Sequence, residues 1–219
     1  MELELKRGGR TARVETLGGE LVSYRDERGL EYIWGGDPAY WPGRNPLLFP
    51  IVGMLKEGKI RFDGREYAME RHGFARRREF TPAARGEDWV RLELRESAET
   101  LALYPYSFRL AVEQRLTDTG FSTAVTVANP GEGPLPFCLG AHTGFRCPLE
   151  AGERFEDYEL VFPERESCPT LLLRDGLLDR PAALPCLEDT DTLPLDYRWF
   201  DALDTLIFEG LRSRSVALR

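Results

Sequence analysis

The chain has 219 residues, 42% hydrophobic and 11% aromatic, with a net charge of −8. That length and apolar content support a globular chain with a proper core and exclude a disordered one. The acidic balance argues against nucleic acid as a partner, because phosphate binding needs a basic surface, and no apolar run is long enough for a membrane helix.

The start, Met1 to Lys6, shows no basic segment leading into an apolar one, so no secretion signal is expected and the cytoplasm is the expected compartment. Cys138, Cys147, Cys168 and Cys186 form no C-x-x-C pair and have no histidines at zinc spacing. Free thiols and no metal site follow. Cys147 lies five residues from His142, but a cysteine beside a proline in a strand is more often packed than catalytic.

Residues 1 to 34 read as short strands. Arg10 to Leu17 and Glu20 to Tyr24 flank Gly18-Gly19, a hairpin signal. Leu30 to Trp34 reads as a further strand. Tyr40 to Pro46 is an irregular loop of aromatic and polar residues, the kind of loop that carries function. Leu47 to Gly53 reads as a buried strand whose proline marks an edge or a bulge. Lys59 to Phe62 and Arg65 to Met69 flank Asp63-Gly64, a type I′ turn signal.

Trp89 to Arg95 alternates polar and apolar residues and should bury one face. Ser97 to Leu103 reads as a short helix, capped by Ser97 and stopped by Tyr104-Pro105. Phe108 to Glu113 and Phe121 to Ala128 read as strands around a turn at Thr117 to Gly120. Asn129 to Pro134 is a loop, and Leu135 to Gly140 leads to His142. Tyr158 to Phe162 reads as a strand. Residues 163 to 198 read as short segments cut by prolines 163, 169, 181, 185 and 194. Many short strands, close turns and little helical periodicity predict an all-β sandwich or barrel. No repeat or linker is visible, so residues 1–219 read as a single domain.

The chain has only two histidines, in matched settings: Arg71-His72-Gly73-Phe74-Ala75-Arg76 and Gly140-Ala141-His142-Thr143-Gly144-Phe145. Histidine titrates nearest neutrality, so two held in glycine-and-aromatic turns suggest a shared site.

These stretches carry a resemblance. Asn45 to Gly53, His72 to Arg76, Gly140 to His142 with Phe145, and Asp204 to Phe208 with Ser213 and Ser215 match, in order, the pattern of the aldose 1-epimerase (galactose mutarotase) family, and most closely its bacterial generic branch. The resemblance implies a galactose-mutarotase-like β-supersandwich with a sugar as its small-molecule partner. It implies interconversion of the α and β anomers of a free aldose, an isomerisation in carbohydrate metabolism that needs no cofactor. His142 matches the acid that protonates the ring oxygen, and His72 the histidine that orients and polarises the sugar. Asp204 matches the carboxylate that binds sugar hydroxyls, with Asp201 as its rival. Asn45, Arg76 and Phe145 are expected to contact the sugar. The Arg76 fork suits hydroxyls or a phosphate, and Phe145 or Trp41 offers a flat face. Trp34 is expected in the core, and Arg77 and Arg78 on a solvated turn.

The sequence departs from the family pattern twice. Met54 stands where the family often has a sugar-binding arginine, and Lys56 lies two residues on. The family's glutamate base, in a C-terminal Glu-Pro-Trp-like context, has no match before Arg219, and Glu209 has no claim to the role. A sandwich short of its C-terminal strands is therefore expected. A sugar-binding pseudoenzyme is the alternative to an epimerase. A purely structural sandwich fits the four motifs least, and a glycosidase would need a carboxylate pair that is not evident.

Overall fold

The computed structural model describes residues 1–201, 203 and 205–219. The chain divides into two compact units, Met1–Arg146 and Cys147–Arg219.

The first unit begins with a meander of β1 (Glu2–Arg7), β2 (Arg10–Glu15) and β3 (Glu20–Arg25), all antiparallel. Alternation fixes which face is buried: Leu3 and Leu5, then Ala12 and Val14, then Leu21, point into the core while Glu2, Glu4 and Arg13 face solvent. β4 (Leu47–Leu48) follows a long irregular loop. The hairpin of β5 (Lys59–Phe62) and β6 (Arg65–Ala68) comes next, and its turn residues Asp63 and Gly64 have φ of 46° and 80°. Two positive-φ residues are what a type I′ turn requires, so the Asp-Gly signal is borne out.

A four-stranded antiparallel sheet in the order β10-β9-β8-β7 forms the other wall. Its strands are β7 (Thr81–Arg85), β8 (Trp89–Arg95), β9 (Arg109–Leu116) and β10 (Phe121–Ala128), with the short α1 (Ala98–Leu101) between β8 and β9. β8 buries Val90, Leu92 and Leu94 on one face, as its alternation predicts. Ser97 caps α1 by accepting the N–H of Thr100, at 3.3 Å. Residues of both sheets meet in one core with Phe49, Phe74, Phe80, Tyr104 and Phe108. Both polar atoms of the buried Gln114 of β9 are bonded: its amide donates to the Gly19 carbonyl at 2.9 Å and its oxygen accepts the Thr123 hydroxyl at 2.6 Å. β11 (Gly140–Ala141) pairs with β4.

Two predicted strands of this unit are not continuous ladders. In Leu30 to Trp34, Glu31 bridges to Arg25 and Ile33 to Phe145, so neighbouring residues have different partners. The Glu31 carboxylate itself takes the N–H groups of Tyr24 and Ile33, at 2.9 and 3.0 Å, in place of a ladder. In Leu47 to Gly53, pairing with β11 stops after Leu48, and Phe49 turns to bridge Gly73. β7, in contrast, was not expected, because Thr81 to Arg85 lacks alternation and all five residues are exposed.

The second unit is built on a long hairpin of β12 (Glu159–Arg174) and β13 (Leu177–Pro194), with β14 (Ile207–Phe208) and β15 (Ala217–Leu218) added along β12. This corrects the expectation of short proline-cut segments over 163–198. A proline has no N–H to give to a ladder, and β12 passes its prolines at irregular points: the pairing shifts register between Val161 and Glu166 and again between Cys168 and Thr170. Phe162, Cys168, Leu187 and Leu193 form a small core. Glu166, 2% exposed, accepts the N–H groups of Ser213 and Arg212 at 2.6 and 3.1 Å. Among the described residues, no helix is long and apolar enough to cross a membrane.

Candidate active site in the first unit

The two histidines lie far apart in sequence and side by side in space. Their rings are stacked, with centroids 6.1 Å apart and planes 24° apart. Each is held by backbone. His72 sits in the left-handed region with φ of 67°, which is uncommon for a residue with a Cβ. Its N–H donates to the Gly53 carbonyl at 2.8 Å, and the Gly53 N–H donates back to His72 Nδ1 at 3.0 Å. The next residue must be glycine: a Cβ on Gly73 would lie 2.2 Å from the Phe49 carbonyl oxygen, and its φ is 68°. That carbonyl accepts the N–H groups of Phe74 and Ala75, at 3.0 and 3.2 Å, so Phe49 anchors the His72 turn by backbone as well as by its buried ring.

His142 follows β11 directly. Its N–H donates to the Pro46 carbonyl at 3.2 Å, and the Gly144 N–H donates to the Arg44 carbonyl at 2.6 Å. These bonds continue the β4–β11 pairing past Leu47 and Ala141. Trp41 meets the His142 ring edge-on, with centroids 4.8 Å apart at 83°. A Cβ on Gly144 would come within 2.7 Å of the Trp41 ring and 3.0 Å of the Trp34 Cβ, so the second glycine of this turn makes room for the tryptophans. Trp34 is half-buried, and its indole N–H donates to the Trp41 carbonyl at 2.8 Å. It therefore supports Trp41 at the site's edge and is not a fully buried core residue.

His72 is half-buried and His142 exposed. Burial, first, and then the positive charges of Arg76, His142 and Arg71 push the His72 imidazole below its ordinary value of 6.5. With Nδ1 accepting from Gly53, the neutral ring carries its proton on Nε2. The two rings are thus unlike: His72 is a neutral donor of fixed tautomer, and His142 is open to solvent.

Arg76 is half-buried in a 3₁₀ turn, Ala75–Arg77, and donates to the Arg71 carbonyl at 2.9 Å, while its Nε is buried without a partner among the described residues. Arg77, exposed, pairs with Glu70 as a solvated basic turn would, whereas Arg78 pairs with Glu99 but is half-buried, with its Nε buried without a partner among the described residues. Phe145 is 64% exposed, a large apolar face open to solvent. Asn45 is nearly buried, and its side-chain oxygen accepts the Thr143 hydroxyl at 2.6 Å. Met54, exposed, follows Gly53, the residue bonded to His72, and Lys56 lies in an exposed 3₁₀ turn. The first unit thus brings His72, His142, Arg76, Asn45, Phe145 and Trp41 into neighbouring loops. Asp204 lies outside the described residues, and its rival Asp201 is an exposed residue of the second unit.

Thr143 and Glu20 went unnoticed in the sequence. Thr143 is adjacent to a singled-out histidine and could have been flagged on that ground. Glu20 accepts two backbone N–H groups of the Arg44-Asn45 bend, and nothing local in the sequence announces that long-range role. The four thiols are free among the described residues, and burial followed by Glu153 raises that of Cys147, which disfavours a thiolate nucleophile. Among the described residues, no group of three or more His, Cys, Asp or Glu is gathered to hold a metal.

The family model for aldose 1-epimerase matches residues 1–179. Protein LacX of Lactococcus lactis subsp. lactis is 41% identical in its plasmid form and 40% in its chromosomal form, in each case over all of this chain and 76% of LacX. The galactose mutarotase related enzyme of Lactobacillus acidophilus superposes with a TM-score of 0.91 at 27% identity, over 100% of this chain and 73% of that one. A galactose mutarotase-like protein from Lactobacillus casei ATCC 334 gives 0.80 at 30% identity, over 90% and 68%. The β-sandwich is accordingly galactose-mutarotase-like, and family membership supports a general aldose-epimerase or sugar-binding role. The chain, by its matched length and by its fold, belongs to the aldose 1-epimerase family.

Proposed function

We propose that the protein interconverts the α and β anomers of a free aldose by acid–base opening of the sugar ring. The observation that carries this reading is the pairing of the chain's two histidines, 6.1 Å apart, one half-buried and bonded to Gly53 and the other exposed. Ring opening needs a proton placed on the ring oxygen as the bond from that oxygen to the anomeric carbon breaks, while the anomeric hydroxyl loses its own proton. The open aldehyde then rotates about one bond and closes on its other face. His142, exposed beside Trp41, is the acid that protonates the ring oxygen. His72, neutral and with Nε2–H free of Gly53, donates a hydrogen bond that orients and polarises a sugar oxygen. Phe145 offers its flat face to the ring. Arg76 and the Asn45 amide nitrogen, which has no partner among the described residues, donate to hydroxyls. The base is not assigned to a residue of the first unit.

One observation favours a second reading, in which the chain binds the sugar without turning it over: among the described residues, no carboxylate hydrogen-bonds either imidazole. Polarimetry on freshly dissolved α-glucose and α-galactose separates the two. Mutarotation faster than in buffer, lowered about 10²–10⁴-fold by His142→Asn with unchanged circular dichroism, is the expected result. A wild-type rate equal to buffer leaves sugar binding alone, and full activity in His142→Asn removes that residue from the acid role.

A further inference from the structure

The His142 turn is tied, residue by residue, to the bend before β4. The His142 N–H reaches the Pro46 carbonyl at 3.2 Å, the Thr143 hydroxyl reaches Asn45 Oδ1 at 2.6 Å, and the Gly144 N–H reaches the Arg44 carbonyl at 2.6 Å. The position of His142 therefore depends on what holds residues 44 to 46. That segment is bent at Arg44 and Asn45, so their successive N–H groups can converge on one acceptor. The acceptor is Glu20, the half-buried first residue of β3: its Oε1 takes the Arg44 N–H at 2.8 Å and the Asn45 N–H at 2.5 Å.

We propose that Glu20 is a positioning residue for the acid, acting through Asn45 and Thr143 to hold the His142 imidazole at its working angle. The proposal rests on the epimerase reading above and deepens it. β3 belongs to the meander of the first unit, so Glu20 ties the peptide groups of the bend to the register of a strand, beside the Arg44 side chain's own bond to the Gly35 carbonyl at 3.2 Å and its ion pair with Glu15 at 3.9 Å. Bonds from N–H groups to a carboxylate are stronger than those to a neutral oxygen, and two on one atom hold both peptide planes of the bend. Asn45 is the intermediate: its backbone N–H is held by Glu20 while its side-chain oxygen holds Thr143. Glu20 itself need not touch the sugar.

The test compares Glu20→Ala, Glu20→Gln and Thr143→Val by mutarotation kinetics and by imidazole resonances in ¹H–¹³C spectra, which two histidines keep simple to assign. Glu20→Ala and Thr143→Val should each lower kcat about tenfold to a hundredfold, since a displacement of about 1 Å in a catalytic group costs that much, with KM changed less than about twofold. The double variant should lose no more than the worse single one, because both cut one chain of contacts. Glu20→Gln keeps an acceptor oxygen and should restore most of kcat. In the sugar-free protein the His142 resonances should move in Glu20→Ala and Thr143→Val by more than those of His72, which feel only the changed neighbouring ring. If His142 is unmoved in both, or KM rises with kcat intact, the proposal is wrong. If Glu20→Ala does not fold, Thr143→Val and Glu20→Gln still decide. A wild-type chain without activity would overturn the epimerase reading, and the His142 resonances would then decide by themselves whether Glu20 positions the ring.

Discussion

The His72 turn of the first unit and the Arg212-Ser213 segment of the second solve the same problem, fixing a loop against a sheet, with different chemistry. In the first, Phe49 is fully buried and its ring meets Phe74, Tyr104, Phe108 and Phe137, while its carbonyl holds the turn that carries His72. In the second, the buried cluster is small, and the segment at Arg212-Ser213 is held by the carboxylate of Glu166. A ring cluster is indifferent to pH and intolerant of lost volume, whereas a carboxylate clamp is the reverse. The His72 half of the candidate site stands on the first kind of support, while the His142 half shares the second through the Glu20 carboxylate.

That contrast can be broken experimentally. The largest effect is expected from Phe49→Ala, which opens a cavity among aromatic rings and should cost about 3–5 kcal/mol, read as a large drop in the thermal midpoint or loss of soluble protein. A mild effect would mean that the ring cluster is not what carries the His72 turn. Gly73→Ala is expected to cost about 1–3 kcal/mol, because it combines positive φ with a backbone clash, and to displace His72. Activity surviving this change would show that the His72 turn is softer than its geometry implies.

The smallest effects are in pH, and they set the two units apart most cleanly. His72 is held below its ordinary 6.5, so between that value and its folded-state value the unfolded chain binds more protons than the folded one. Stability is then full above about pH 6.5 and falls as pH drops below it. Glu166 is held below its ordinary 4.5, chiefly by hydrogen bonds from Ser213. Its contribution is full above that value and is lost as pH falls through its lower folded-state value. Denaturant titrations across pH should show His72→Gln flattening the upper window and Glu166→Gln the lower one. A single shared window would refute the separate origins.

Much of the fold was legible because its signals are local. The Asp63-Gly64 hairpin, the alternation of Trp89 to Arg95, the Thr-Val strand of Phe121 to Ala128 and the Ser97 cap each depend on neighbours in sequence. The departures concern residues whose pairing a strand-like composition does not reveal. Leu30 to Trp34 has a strand's composition, but the Glu31 carboxylate takes the bonds that a neighbouring strand would have supplied. The prolines of β12 and β13 read as breaks because their tolerance depends on bulges that only the pairing reveals. At the site, both histidines stood out through rarity and flanking glycines, and the structure brings them together. Glu20 did not stand out, because a glutamate at a strand start has no local mark of the bend it holds 24 residues away.

The bond between Gly53 and His72 has a consequence for how the site would fail in acid. The ring nitrogen that accepts the Gly53 N–H is the one a proton must occupy to make the imidazolium. Acidification therefore adds a charge and at the same time frees one peptide group, at the residue before Met54. The imidazole acts as a latch on its own backbone. Slow amide exchange at Gly53 is the signature of the closed latch, and its protection relative to the intrinsic exchange rate at each pH should fall as pH drops through the His72 titration, while the buried strands around Phe49 stay protected.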